Sequence, residues 1–384
     1  MQKEKLVPAI RFKGFDEEWK EKKLSNLAEI YDGIHETPKY TKSGVMFLSV
    51  EDIDSLKSNK FVSYEYYKRM YKIYPQKNDI FMTRIGSVGI TNIIQSNEIM
   101  AYYVSLALIK SKINPFFLNQ TLKNPYSQKE IFSRTLTTAI PKKINKNEIA
   151  EILIHFSDSA YEQQKIGLFF TNLDILIHSQ ELKLEKLQTI KQSLSNKIFA
   201  SFDQKIPEIR FKGFDQEWKR VMLSDYLDYE RPDKYIEKLP LLEFGQIPVL
   251  TANKSFKLGY TESQNYYAKG DCILFDDFTL DSKYVDFPFM VVSSALKILS
   301  LKNNQDSLPY YFAILKNNTF ESQGHARHYI SIVAKSLIKI SNNIEERNLI
   351  GLLFTNIDSL IHSQEQKLEK LNNIKQALLE KMFC

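Results

Sequence analysis

The side chains best suited to chemistry in this sequence are cationic and hydroxylic groups gathered in short polar runs, and the chemistry they suit is recognition of a polyanion. The run RIGSVG, Arg84 to Gly89, sets an arginine at a glycine-punctuated turn with free backbone N–H groups. Such a turn suits a phosphate or a guanine edge, and it is equally the sequence of an ordinary hairpin. SRTLTTAIPKK, Ser133 to Lys143, places Arg134, Thr137, Thr138, Lys142 and Lys143 close together. GHARHYIS, Gly324 to Ser331, does the same with His325, Arg327, His328 and Tyr329. Thr37 and Lys39 in HETPKY (His35 to Tyr40), Ser87 in the glycine turn, and Lys254 and Tyr260 in GQIPVLTANKSFKLGYT (Gly245 to Thr261) complete the candidates. These residue types are the ones that reach phosphates and base edges.

Catalysis finds no comparable set. The sequence has no GxxxxGK[ST], GxSxG or HExxH string, and KNPYS (Lys123 to Ser127) lacks the second proline of the NPPY tetrapeptide of amino methyltransferases. The ExK strings Glu181 to Lys183 and Glu365 to Lys367 fall inside charged helical faces and read as solvated charge. His178 and His362 have no Cys, His or Asp at ligand spacing, and the only cysteines are Cys272 and Cys384. Neither a metal site nor a disulfide framework is expected, and no cofactor.

The elements that position the polar runs are announced by repetition, which fixes architecture before any residue is interpreted. PAIRFKGFDEEWKEKKLS (Pro8 to Ser25) returns as PEIRFKGFDQEWKRVMLS (Pro207 to Ser224), with 13 of 18 positions identical. EQQKIGLFFTNLDILIHSQELKLEKLQTIKQSLSNKIF (Glu162 to Phe199) returns at Glu346 to Phe383, with 25 of 38 identical. Within the second block Ile166, Phe170, Leu173, Ile177, Leu184, Leu187, Leu194 and Ile198 keep heptad spacing, interrupted at Gln180 and Lys191. The later copy places Ile350, Phe354, Ile357, Ile361, Leu368, Leu371, Leu378 and Met382 likewise, interrupted at Gln364 and Lys375. This spacing predicts two helices of about 38 residues, each about 57 Å long, pairing antiparallel along matching seams. Gln180 and Gln364 fix register if they lie in the seam; a drifting frame would leave both in solvent.

Between the repeated blocks no comparable identity survives. QKNDIFMTR (Gln76 to Arg84) and AKGDCILFDD (Ala268 to Asp277) share only the texture of a turn followed by a buried strand. The first insert, Ser25 to Ala150, holds 17 Lys and Arg against 11 Asp and Glu, whereas Ser224 to Ile340 holds 13 against 14. The first insert is therefore basic and the second near neutral. A frame kept twice around unlike inserts is what two readers of different targets require.

The chain resembles the specificity subunit of type I restriction-modification systems. The resemblance rests on RFKGF…EW opening each half, NDIFMTRIGSVG in the first insert, and EQQKIG…KLEKL in the helices. It implies an α+β chain, with two mixed α/β target-recognition domains separated by an antiparallel pair of long coiled-coil helices. The expected division is a first target-recognition domain over 1–158, a first spacer helix over 159–200, a second domain over 201–343 and a second helix over 344–384. It further implies a non-catalytic reader of double-stranded DNA, each domain taking half of a bipartite site. The helices would set the spacing and dock two methyltransferase subunits, with translocase-nuclease restriction subunits outside them. The N-terminal MQKEKLVPAIRF lacks an apolar targeting core and the longest apolar stretch, Met100 to Ile109, is half a bilayer span, so a cytoplasmic protein with no membrane role is expected. Two other readings remain: a free-standing DNA-binding regulator without enzymatic partners, and a protein-binding scaffold.

Overall fold

The first half of this protein is completed by residues from far along the chain, whereas the second is one continuous run. The computed structural model describes residues 5–200, 203–238, 240–251, 255–318 and 329–384. They divide into two units, one of Met1–Glu181 with Lys367–Cys384 and the other of Leu182–Gln366.

In the first unit β1 (Lys20–Lys23) and α1 (Leu24–Leu27) lead into β2 (Ala28–Asp32), β3 (Val45–Leu48), β4 (Phe61–Val62), α2 (Tyr64–Met70), β5 (Ile80–Thr83), β6 (Thr91–Ile93), β7 (Met100–Tyr102) and β8 (Leu106–Ser111). Helices α3 (Pro115–Lys123), α4 (Pro125–Ser133) and α5 (Lys146–Ala150) follow, then β9 (Leu153–Phe156) and the long α6 (Ala160–Ile198). β9 returns to pair antiparallel with β1, Lys20 facing Phe156. Four strands form an antiparallel sheet in the order β2-β8-β5-β6, and three form a smaller sheet β4-β3-β7 in which β3 and β7 run parallel. The sequence IFMT of β5 is buried throughout because both faces of its sheet are covered. Ile80 and Met82 enter a core shared with α3 and the long helix, while Phe81 enters the core on the small sheet's side.

The second unit repeats this plan without its sequence. β10 (Lys219–Met222), β11 (Leu227–Glu230), β12 (Ile247–Leu250), β13 (Lys257–Thr261), β14 (Cys272–Asp276), β15 (Ser282–Val285), β16 (Met290–Val291) and β17 (Leu296–Leu301) precede α7 (Leu308–Asn317), β18 (Leu337–Ile340) and the long α8 (Ile344–Lys381). The sheets are β11-β17-β14-β15 and β13-β12-β16, the same order strand for strand, and β10 pairs with β18 as β1 pairs with β9. CILFD of β14 is again buried on both faces: Ile273 and Phe275 join the helical core, Cys272 and Leu274 the other. The shared texture of the two inserts is thus the central strand of each large sheet.

Both long helices start at polar caps. The Ser159 hydroxyl accepts the Glu162 N–H at 3.3 Å, and the Asn343 side-chain carbonyl accepts the Glu345 N–H at 2.7 Å. The heptad positions are buried or half-buried along their whole length in both copies, Gln180 and Gln364 included. The frame does not drift, and the glutamines lie in the seam. Inside the first unit Phe170 meets Phe383 and Asp174 meets Lys375; inside the second Lys191 meets Asp358 and Phe199 meets Phe354. In each unit one helix's numbers rise as the other's fall, so the pairing is antiparallel.

The short repeated block is explained by what it latches. Arg11 donates to both carboxylate oxygens of Glu162, at 2.6 and 2.9 Å, and Arg210 does the same to Glu346 at 2.7 and 2.9 Å. Both glutamates are fully buried. Trp19 adds a bond from its indole N–H to Glu162 at 3.2 Å and packs edge-on to Phe117 and Phe383. Trp218 packs in the same way against Phe199 and Tyr310. The Arg of each short block therefore binds the first turn of its long block, joined in the first copy by the Trp19 indole, and each repeat needs the other.

Candidate nucleic-acid interface

The edge of the large sheet where β2 and β5 end and β8 begins collects the first unit's candidate groups. Asp32 lies opposite Ala107, and Thr83 opposite Leu106, so the connections after β2 and β5 leave from one side. Thr37 and Lys39 are exposed on the first of these, Ser87 on the second. Gly86 and Gly89 take φ of +79° and +92°, which only glycine adopts without strain and which closes the RIGSVG turn. The Thr83 hydroxyl donates to the Ser87 carbonyl at 2.5 Å beneath it.

Two runs that stand far apart in sequence meet at this edge. Gly86 N–H donates to the Lys142 carbonyl at 2.8 Å, Ile144 N–H donates to the Arg84 carbonyl at 2.9 Å, and Ile85 bridges Lys143. Leu136 and Lys143 bridge each other as well, closing residues 137–142 into a hairpin tip. Thr137, Thr138, Lys142 and Lys143 are exposed on that hairpin. RIGSVG and SRTLTTAIPKK are one surface.

Two arginines of that surface are committed elsewhere. Arg84 is 8% exposed; its guanidinium pairs with Asp32 and donates to the Ile144 carbonyl at 3.3 Å. It holds the edge together and offers no free face to a ligand. Arg134 lies between Glu130 and Glu148, at 3.3 and 3.6 Å, so two carboxylates already take its charge. For Arg84 burial replaces the expected direct contact with a positioning role, whereas Arg134 keeps about a quarter of its side chain exposed beside its two glutamates.

The second unit builds the corresponding edge from different chemistry. Asp276 faces Leu296 as Thr83 faces Leu106, so Asp277 stands where Arg84 does. It pairs with Lys297 at 3.1 Å, both side chains 7% exposed. A buried ion pair thus stands at both edges, but it joins different strands: Arg84 reaches Asp32 at the end of β2, whereas Asp277 reaches Lys297 on β17. The Leu242 N–H donates to the Tyr260 carbonyl as the Thr41 N–H donates to that of Phe61, so the connections after β11 and β2 are held alike. Where the first carries Thr37 and Lys39, the second exposes Leu242 and Phe244, and Phe278 stands exposed on the turn after β14. Tyr260 is half-buried with its hydroxyl bonded by Lys257 at 2.7 Å. Lys254, His325, Arg327 and His328 lie outside the described residues.

Tyr329 is a further correction. It is 1% exposed, with its ring against Tyr229 and Phe275 and its N–H bonded to Asp277 at 2.9 Å. Burial raises its phenol pKa above the ordinary value. It is tied to the turn after β14 through its own N–H.

The seam residues Ile166, Phe170, Leu173, Ile177, Gln180, Leu184 and Leu187, with Ile350, Phe354, Ile357, Ile361, Gln364, Leu368 and Leu371, are all turned inward. Outward, the helices expose leucines at repeat-equivalent positions: Leu168 and Leu352 at 59% and 57%, Leu176 and Leu360 at 42% and 57%. Exposed apolar side chains at matched positions are the feature the sequence pattern missed, because they fall outside the heptad seam. Among the described residues no helix is long and apolar enough to cross a membrane, and no three His, Cys, Asp or Glu side chains are placed to hold a metal ion.

Residues 16–191 match the family described as Type I restriction modification DNA specificity domain. The chain is 38% identical over 135 residues to the Type I restriction enzyme EcoR124I/EcoR124II specificity subunit of Escherichia coli, a match spanning 33% of each chain. It is 24% identical over 401 aligned positions to the putative type I restriction enzyme MjaX specificity subunit of Methanocaldococcus jannaschii, covering 94% of this chain and 92% of that one. Its fold is similar to the crystal structure of a type I restriction-modification S subunit from M. genitalium, with a TM-score of 0.75, 16% identity and 99% of both chains covered.

Proposed function

We propose, for a chain that belongs to the family of type I restriction-modification specificity subunits, the role of choosing where on double-stranded DNA its partner enzymes act. Each recognition domain reads one half of a bipartite site, and the paired helices set the gap between the halves. The carrying observation is one topology built twice with unlike edges. Identical strand orders hold Thr37, Lys39, Thr137, Lys142 and Lys143 at one edge and Leu242, Phe244 and Phe278 at the other. A surface required to bind the same thing twice would keep its residues, as the helix seams and the Arg–Glu latches do.

Two unlike surfaces read two unlike half-sites. The division into recognition domains 1–158 and 201–343 and spacer helices 159–200 and 344–384 follows from that reading. The chain itself is non-catalytic, and the chemistry arrives on two methyltransferase subunits, with restriction subunits added outside them, in the cytoplasm. Leu168, Leu176, Leu352 and Leu360 are the docking groups this reading assigns to the methyltransferases, because buried apolar area drives stable association and these side chains are exposed at matched positions of both helices.

Mapping methylated adenines in cells with and without this chain tests the proposal. A split motif that appears only with the chain is the expected result; an unchanged methylation pattern overturns it.

A further inference from the structure

The tip of the 137–142 hairpin carries one side chain that no part of the fold uses. Ile140 is 100% exposed, the highest value among the large apolar side chains of the described residues, and Phe132 and Leu136 beside the hairpin are exposed at 62% and 43%. Single exposed apolar residues are ordinary on protein surfaces, so exposure alone decides nothing. The hairpin's construction does. Its base is clamped by the Leu136–Lys143 bridge, by the Gly86 N–H to Lys142 carbonyl bond and by the Ile144 N–H to Arg84 carbonyl bond, so the tip is held out from the sheet edge. Its flanks are exposed hydroxyls and ammonium groups, Thr137 and Thr138 on one arm and Lys142 and Lys143 on the other. The Lys142 ammonium lies 5.9 Å over the Phe132 ring. The insert that carries the tip is the basic one, with 17 Lys and Arg against 11 Asp and Glu.

An apolar point between cationic arms matches a duplex taken edge-on: phosphates outside, stacked bases within. We propose that Ile140 is a wedge that enters the DNA at the first half-site and unstacks one base step, while Lys142 and Lys143 hold the flanking phosphates. Side chains of this kind open a step at the cost of stacking and recover it through the closer fit of the bent duplex. Sequence choice then has a source that needs no hydrogen bond, because pyrimidine–purine steps open most easily. The first domain would read deformability at that step as well as base edges. The inference rests on the DNA-reading function proposed above.

The test uses the full chain without methyltransferase subunits, so that no base is flipped by an enzyme. Duplexes carrying the methylation-mapped site bear 2-aminopurine at successive positions of each half-site. Binding is followed by anisotropy, and unstacking by the probe's fluorescence. The wild-type chain is expected to brighten the probe several-fold at one step of one half-site. Ile140→Ala is expected to abolish that signal and weaken binding about tenfold. Lys142→Ala is expected to weaken binding and lower the salt slope by about one while the brightening persists at saturation. Binding without brightening at any position, or brightening unchanged in Ile140→Ala, overturns the wedge and leaves DNA reading intact. Failure of the wild-type chain to bind any duplex overturns both. Ile140 makes no packing contact, so its replacement leaves the fold unchanged, which the melting temperature verifies.

Discussion

Lys375 and Asp174 meet at 2.7 Å across the helix pair, and the repeat places their counterparts, Lys191 and Asp358, in the same contact in the other unit. The interruption at Lys191 and Lys375 is therefore filled, in each unit, by an aspartate of the opposite helix. Charge reversal at one site, Asp174→Lys, is expected to cost about 1 kcal/mol, as for a half-exposed pair, and the double reversal Asp174→Lys with Lys375→Asp to recover most of it. Urea denaturation midpoints of the four chains check this. Additive losses in the double variant would mean that the pair does not set register.

Acid sensitivity has a named source in the first unit. Burial raises the pKa of the Glu162 carboxyl, but hydrogen bonds from Arg11, Ser157 and Trp19 outweigh burial and hold it below the usual carboxylate value. A group depressed in the folded state stabilises the fold fully above its unfolded pKa, about 4.3, and loses that contribution as pH falls through the folded value. Stability is expected to fall on acidification below about pH 4.3 for this reason. Glu162→Gln is expected to cost about 3 kcal/mol at neutral pH, because Arg11 stays buried without its charge partner, and to flatten that part of the acid limb. Thermal melts from pH 3 to pH 7, a range about the unfolded carboxyl value, give both readings.

Two helical glycines are explained by close approach. A Cβ on Gly167 would lie 2.9 Å from the Phe117 backbone nitrogen, and one on Gly351 would lie 2.1 Å from the Ser307 hydroxyl oxygen. Alanine in a helix is worth about 1 kcal/mol over glycine. Overpacking costs about 1–3 kcal/mol, so both substitutions are expected to destabilise. Gly351→Ala is expected to be rescued in part by Ser307→Gly, since the obstacle there is a side chain. Gly167→Ala has backbone in its way, and trimming Asn114 should not rescue it. Differential calorimetry separates the two cases.

Docking through the outward leucines makes a stoichiometric prediction. Leu168→Glu with Leu176→Glu is expected to remove one methyltransferase subunit, and adding Leu352→Glu with Leu360→Glu to remove the second, while the melting temperature stays within about 1 °C because exposed positions carry little stability. Native mass spectrometry counts the subunits. Retention of both subunits in the quadruple variant would place docking elsewhere.

The frame was legible in the sequence because its cause is local and periodic. Heptad spacing fixes Phe170 and Leu173 on one face whatever lies opposite, and repetition of RFKGF…EW marks a block that does the same task twice. The inserts were not legible as one fold. IFMT and CILFD share one residue at matched positions, Ile80 with Ile273, since a strand buried on both faces asks only for apolar volume. Arg84 and Tyr329 were read as surface groups from their polar neighbours, and the partners that bury them, Asp32 and Asp277, are about fifty residues away in sequence. Ile140 had a faint signal, an apolar residue inside a polar and basic run, but only its full exposure singles it out.

The borrowed helix ends impose an order on biosynthesis. Phe199 fills the aromatic nest of the second unit against Trp218, Tyr310 and Phe354, and Phe383 fills that of the first against Trp19, Phe117 and Phe170. A ribosome delivers Phe199 before the nest that needs it, but Phe383 only after more than 180 residues of other chain. The unit begun first is closed last, and until then its nest stands open as an apolar cleft in a half-made protein.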